Sequence, residues 1–173
     1  MIASFLSLSS QSAIARTKAQ QPHAEVSTIP APEVLSSGWE LQDSAKVSQT
    51  GSGAGAIISA LTYKTKDWYS AVVPGTVLTT LVKNGVYPEP LYGENNRPDR
   101  IPESLNKTTY WYRTVFEVPA AYKGRHIWLN LDGINFAAEV WVNKTYLGTM
   151  RGAFKRGIFD ISEFVKQIGR AHV

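Results

Sequence analysis

Apolar residues in the second half of the chain recur at every other position, a spacing that predicts strands rather than helices. In "RHIWLNL", residues 125–131, Ile127, Leu129 and Leu131 share one face, which turns Trp128 the other way. "FAAEVWV", residues 136–142, alternates in the same manner and turns Trp141 away from Val140 and Val142. Asn143-Lys144 then suits a two-residue hairpin turn, because asparagine tolerates positive φ, although glycine is usual at the second place. "TYLGTM" is the expected return strand. "GIFDISEFV" reads as a strand followed by a turn of helix, with Asp160 or Ser162 as cap. The richest β-former run is "TYWYRTVFEV", residues 109–118, ended by Pro119.

Earlier in the chain the pattern is weaker. Residues 38–41 are expected as a short strand and "GSGAG", 51–55, as a flexible turn. The apolar run 56–63 is then expected as strand, and so is "DWYSAVV", 67–73, stopped by Pro74-Gly75. Val77, Leu78, Leu81 and Val82 recur at helical spacing, and Asn84-Gly85 supplies a stop, so one short helix is predicted between Thr76 and Lys83. Seven or eight short strands with regular turn signals predict an all-β antiparallel sandwich. Trp68 and Tyr69 are expected to wedge the helix onto the sheet.

One stretch departs from this pattern. After the helix, residues 84–103 form a long loop rich in proline, asparagine and charge, and a long ordered loop usually has a function.

Composition narrows the function classes. The chain has 173 residues, 43% hydrophobic and 18% charged, which suits one globular domain with a real core. A net charge of +4 raises the question of nucleic acid, but the basic residues do not cluster. The densest run, 151–156, is broken by glycines and aromatics, so no nucleic-acid partner is expected. Gly152 and Gly157, which flank "AFKR", suit a tight turn before the last strand, with a ligand site at Lys155 and Arg156 as the alternative. Without cysteine there are no disulfides or thiolate metal sites, and His23, His126 and His172 lack ligand spacing, so neither metal nor cofactor is expected.

The termini carry separate expectations. Residues 1–37 read as a signal-like segment and a disordered linker or extended arm. Ile2 to Leu8 is apolar and Ala13-Ile14-Ala15 has the shape of a signal-peptidase site, which points to a secreted or periplasmic protein. The apolar run is too short to span a bilayer, and no membrane partner is expected. Residues 168–173, "IGRAHV", match the translation of a common sequencing adapter and are expected to be a non-native tail on a truncated chain.

Five blocks now fall in a recognisable order: "WYSAVVPGTVLTTLVKNGVY", "PLYGENN", "TYWYRTVFEVP", "IWLNLDGINFAAEVWVN" and "YLGTMRGAFKRGIFDIS". Together they resemble the N-terminal sugar-binding domain of family 2 glycoside hydrolases, in the branch of β-mannosidases and exo-β-glucosaminidases. The resemblance covers residues 38–167 as one domain and implies a galactose-binding-like jelly-roll. It implies a parent enzyme in which immunoglobulin-like domains and a barrel follow. The barrel would carry two catalytic glutamates, which retaining glycosidases hold about 5 Å apart. No catalytic residue is therefore expected in this chain, which should be inactive alone.

The resemblance also gives the long loop a role, reaching toward the barrel to shape the pocket for the terminal sugar of a β-glycoside. "YGENN" places Tyr92, Glu94, Asn95 and Asn96 there, with Asn95 or Asn96 as the sugar-facing amide. An amide offers two donors and an acceptor, matching sugar hydroxyls. Read from the residues alone, both asparagines suit turns. Glu94, Asp99 and Glu103 read as solvated charges, with Arg97 and Arg100 as partners. Trp111, Trp128 and Trp141 suit core or domain contacts better than sugar stacking. Asn106 and Asn143 head glycosylation patterns to which no function is assigned. A free-standing carbohydrate-binding module is the alternative function.

Overall fold

The structure, a computed structural model, describes residues 29–165 and the backbone of 170–172. The expected signal-like segment lies outside the described residues, as do residues 168, 169 and 173 of the suspected tail.

Among the described residues, nine strands and two short α-helices follow in the order β1 (Glu40–Asp43), α1 (Ala54–Ile58), β2 (Tyr69–Ser70), α2 (Val77–Lys83), β3 (Tyr110–Arg113), β4 (Val115–Glu117), β5 (Trp128–Leu131), β6 (Ala137–Val142), β7 (Thr145–Arg151), β8 (Gly157–Asp160) and β9 (Arg170–His172). All pairings are antiparallel. One sheet has the order β2-β1-β3, and three ladders pair β4 with β9, β5 with β8, and β6 with β7.

The alternation read from the sequence produces the larger core. Leu129 of β5, Val140 and Val142 of β6, Met150 of β7, and Ile161 and Val165 beyond β8 are buried together. Phe116, Leu131, Leu147 and Phe159 pack around them, so the inner faces of β4, β5–β8 and β6–β7 enclose one apolar layer. Leu35, in the segment expected as linker, packs against this layer too. Its carbonyl accepts the Trp39 indole N–H at 2.7 Å. At the β6–β7 hairpin Asn143 and Lys144 take φ of 47° and 75°, as the two-residue turn requires.

Two expectations about elements fail for one reason. The run 56–63 is not a strand, and the fold has two helices rather than one, because α1 forms within the glycine-rich segment. Intrinsic propensity opposes a helix there, and packing overrides it. A Cβ on Gly55 would sit 2.3 Å from the Trp141 ring, so only glycine lets the helix lie on β6. Ala54 and Ile58 then form a second, smaller core with Val47, flanked by Tyr63, Trp68 and Trp111. Trp68 thus packs against the core beneath α1, meeting Tyr63 edge-on at 6.2 Å.

Arg113 completes this second core from β3. It is 3% exposed, and its Nε donates to the Ile58 carbonyl at 3.0 Å. Nη2 reaches the carbonyls of Ala60 and Tyr63, each at 3.4 Å. These carbonyls lie at and just beyond the C-terminus of α1, where backbone acceptors lack helical partners. Burial pulls the Arg113 pKa below its ordinary value, while Glu40 and the Tyr63 ring work in the opposite direction.

The expected single strand 109–118 is two. The break falls at Thr114, which is buried and whose hydroxyl donates to the Gly38 carbonyl at 3.2 Å. The chain pairs with β1 before that residue and with β9 after it. The expected strand 67–73 survives only as β2, since Asp67 takes a φ of 58° and Pro74-Gly75 turns the chain toward α2.

Candidate functional site

The long loop leaves the fold from a built foundation. Thr76 caps α2, its hydroxyl accepting from the Thr79 N–H at 3.0 Å. Gly85, at a φ of 72°, closes the helix: its N–H bonds the Val82 carbonyl and the Val86 N–H bonds that of Leu81, both at 2.9 Å. The stop read from Asn84-Gly85 is therefore a complete C-terminal cap.

Side chains then fasten α2 to β2. Thr80 is fully buried and its hydroxyl accepts the Val72 N–H at 3.0 Å. The Asn84 amide donates to the carbonyls of Ser70 (3.0 Å) and Thr80 (2.7 Å). Gly75 has no room for a Cβ, which would stand 2.7 Å from the Val72 carbonyl oxygen. The other end of the loop passes through a 3₁₀ turn, Glu103–Lys107, directly into β3. Both roots therefore lie on the β2-β1-β3 sheet.

Between the roots, residues 86–102 run as successive turns. Backbone bonds link Tyr92 to Glu89, Asn95 to Tyr92, Arg97 to Glu94 and Arg100 to Arg97. The segment is held by its own hydrogen bonds yet lies largely in solvent. Leu91 is 93% exposed and Tyr92 78%.

The four residues singled out in the sequence sit on this segment within five positions of one another, and their environments differ. Asn95 is half-buried, and its Nδ2 donates to the Glu89 carbonyl at 3.0 Å, so this amide braces a turn. Asn96 is exposed, and its side chain has no partner among the described residues. Glu94 pairs with Arg97, both exposed, and Asp99 meets Arg100 at 3.7 Å. Trp128 is 54% exposed on the outer face of β5, whereas Trp141 is covered by α1. Leu91 is the residue that sequence reasoning passed over. Its signal was available as an apolar residue next to the tyrosine in a polar loop.

A strand-rich sandwich, with antiparallel ladders around a main apolar core, a smaller core under α1 and a long exposed loop, fits a galactose-binding-like domain. The chain belongs to the glycosyl hydrolase 2 galactose-binding domain-like family, whose model matches residues 39–173. It is 34% identical over 149 residues to a mannosylglycoprotein endo-β-mannosidase of Lilium longiflorum, covering 80% of this chain and 14% of that protein. It is 29% identical over 157 residues to an exo-β-D-glucosaminidase of Streptomyces avermitilis, covering 88% and 16% respectively. Among solved structures, the exo-chitosanase CsxA of Amycolatopsis orientalis superposes with a TM-score of 0.66 at 29% identity, over 79% of this chain and 15% of that one. The chain corresponds to the N-terminal domain of such enzymes and spans only about one-seventh of their length.

Proposed function

We propose that this domain serves a β-glycosidase acting on a β-mannoside or β-glucosaminide, without carrying the chemistry itself. Residues 86–102 form one wall of the sugar pocket. Asn96 is the sugar-facing amide, Tyr92 and Glu94 lie beside it, and Asn95 holds the turn that presents them. The observation that carries this reading is the contrast within the segment: its backbone and Asn95 are internally bonded, while Asn96 and Tyr92 are left open to solvent. An exposed side chain on a pre-ordered loop binds with little further loss of conformational freedom. The relatives support the sugar classes, since the lily protein is an endo-β-mannosidase and the Streptomyces protein an exo-β-glucosaminidase. Exo action, with the segment closing around a terminal sugar, is the mode proposed here. The catalytic glutamate pair of the retaining mechanism would come from another domain.

Two measurements test the proposal. The purified chain should leave aryl β-mannosides and β-glucosaminides unhydrolysed, and turnover above buffer would contradict it. In an enzyme encoded by a continuing reading frame, Asn96→Ala should lower kcat/KM by roughly 10- to 100-fold with the fold intact, the loss expected for one well-placed polar contact. An unchanged kcat/KM would remove Asn96 from the pocket.

A further inference from the structure

A second surface lies on the sandwich itself, apart from residues 86–102. Glu139 of β6 and Thr149 of β7 are register partners, and Arg151 faces the same way two positions on, opposite Ala137. The turn from β7 to β8 and the exposed Ile158 of β8 close the other side. Together they bound an open groove of about 700 Å³, within the usual range of ligand clefts, about 300–1,000 Å³.

Glycines shape the groove. A Cβ on Gly157 would stand 2.5 Å from the Met150 sulfur and 2.8 Å from the Phe159 ring, so any larger residue there would displace one or both side chains. Gly152, at a φ of 116°, bends the chain after β7, and its N–H bonds the Phe136 carbonyl at 2.8 Å. The aliphatic stem of Lys155 lies over this glycine, within 3.4–3.7 Å of where a Cβ would stand. The ammonium is thereby held near the groove by its own stem.

The charges are unequal. Arg151, Lys155 and Arg156 line the groove against the single carboxylate of Glu139. Arg156 meets Asp132 at 3.3 Å, whereas Arg151 and Lys155 have no ion-pair partner among the described residues. Phe154, at the tip of the same turn, is 99% exposed.

We propose that this groove binds an acidic saccharide, with Arg151 and Lys155 on its anionic group. Glu139 and Thr149 take its hydroxyls, and Ile158 meets an apolar ring face. A guanidinium recognises a carboxylate or sulfate through paired, charge-assisted hydrogen bonds. Glu139 distinguishes this ligand from a nucleic acid. A carboxylate in the lining accepts hydroxyl protons and repels a continuous line of phosphates. The anionic group is a uronate carboxylate or a sulfate ester, and the experiment separates the two.

The full chain is titrated calorimetrically at low salt with tetragalacturonate, a sulfated galactan tetramer, mannotetraose and a short DNA duplex. One acidic tetramer should bind, and the tighter of the two identifies the anionic group. Added salt should weaken that binding, and mannotetraose should give no heat. The double variant Arg151→Ala/Lys155→Ala should bind roughly tenfold or more weakly, as expected for the loss of two charge-assisted contacts. Because both side chains are exposed, its thermal unfolding should match that of the parent. The proposal is overturned if neither acidic tetramer binds, if mannotetraose binds as well, if DNA binds more tightly, or if the double variant binds like the parent.

Discussion

Arg113 and Leu91 invert the ordinary rule of burial in opposite directions. The arginine is 3% exposed and the leucine 93%. Charged side chains are almost never buried without partners, and Arg113 has them: three carbonyls after α1, the Tyr63 ring at 5.8 Å and Glu40 at 3.9 Å. Its position is explained entirely from within the molecule. Nothing comparable surrounds Leu91, which stands beside the equally open Tyr92 on a segment whose backbone is already satisfied. Folding accounts for the first inversion and leaves the second without an internal cause. That difference is the reason for assigning function to residues 86–102 and structure to the small core under α1.

The sharpest way to break this comparison is Arg113→Ala. It removes the guanidinium donor to the Ile58 carbonyl and empties a buried site, a loss of about 1–3 kcal/mol as for a buried acceptor left unsatisfied. Denaturant unfolding should register that loss as a large share of a marginally stable domain's total. A loss below about 1 kcal/mol would mean that water replaces the guanidinium and that α1 needs no such clamp.

Asp160 lies between the two extremes, charged and exposed yet internally bonded. Its carboxyl is held below the usual carboxylate range first by the Ser162 hydroxyl, then by the Ser162 N–H, with His126 contributing. A depressed folded-state pKa means that its stabilising contribution is present above the ordinary Asp value and is lost as pH falls through the folded value. Ser162→Ala removes the leading cause, so an NMR titration of Asp160 should show its midpoint moving up toward the usual range. An unmoved midpoint would transfer the effect to the N–H and the imidazole.

The smallest effect is expected at the other pole. Leu91→Ala should change unfolding free energy by less than about 0.5 kcal/mol, as for exposed sites generally. A larger loss would show that the leucine is packed in solution, and the contrast with Arg113 would disappear.

Legibility in the sequence followed the range of the forces involved. Local rules found α2, because its cap at Thr76, its apolar spacing and its Asn84-Gly85 stop lie within ten residues. The β6–β7 hairpin was equally local. What escaped depends on distant partners. Helix α1 needs Trp141 of β6 and Arg113 of β3, neither visible from "GSGAGAII". The division of the strand at Thr114 depends on Gly38, far back in the chain. Within the candidate site, the sequence marked Asn95 and Asn96 alike. Only the folded loop distinguishes them, since one amide is engaged with Glu89 and the other is not. The groove beside β7 and β8 was visible only as a broken basic run, because Glu139 joins it through strand pairing.

The two roots of residues 86–102 have an evolutionary corollary. Since both are bolted to a single three-stranded sheet by Thr80, Asn84 and the entry into β3, the span between them is thermodynamically cheap to rewrite. Doubling the length of a flexible loop adds only about 0.6 kcal/mol of closure cost. A lineage could therefore exchange this cassette, altering length and chemistry together, while the scaffold beneath it stays undisturbed.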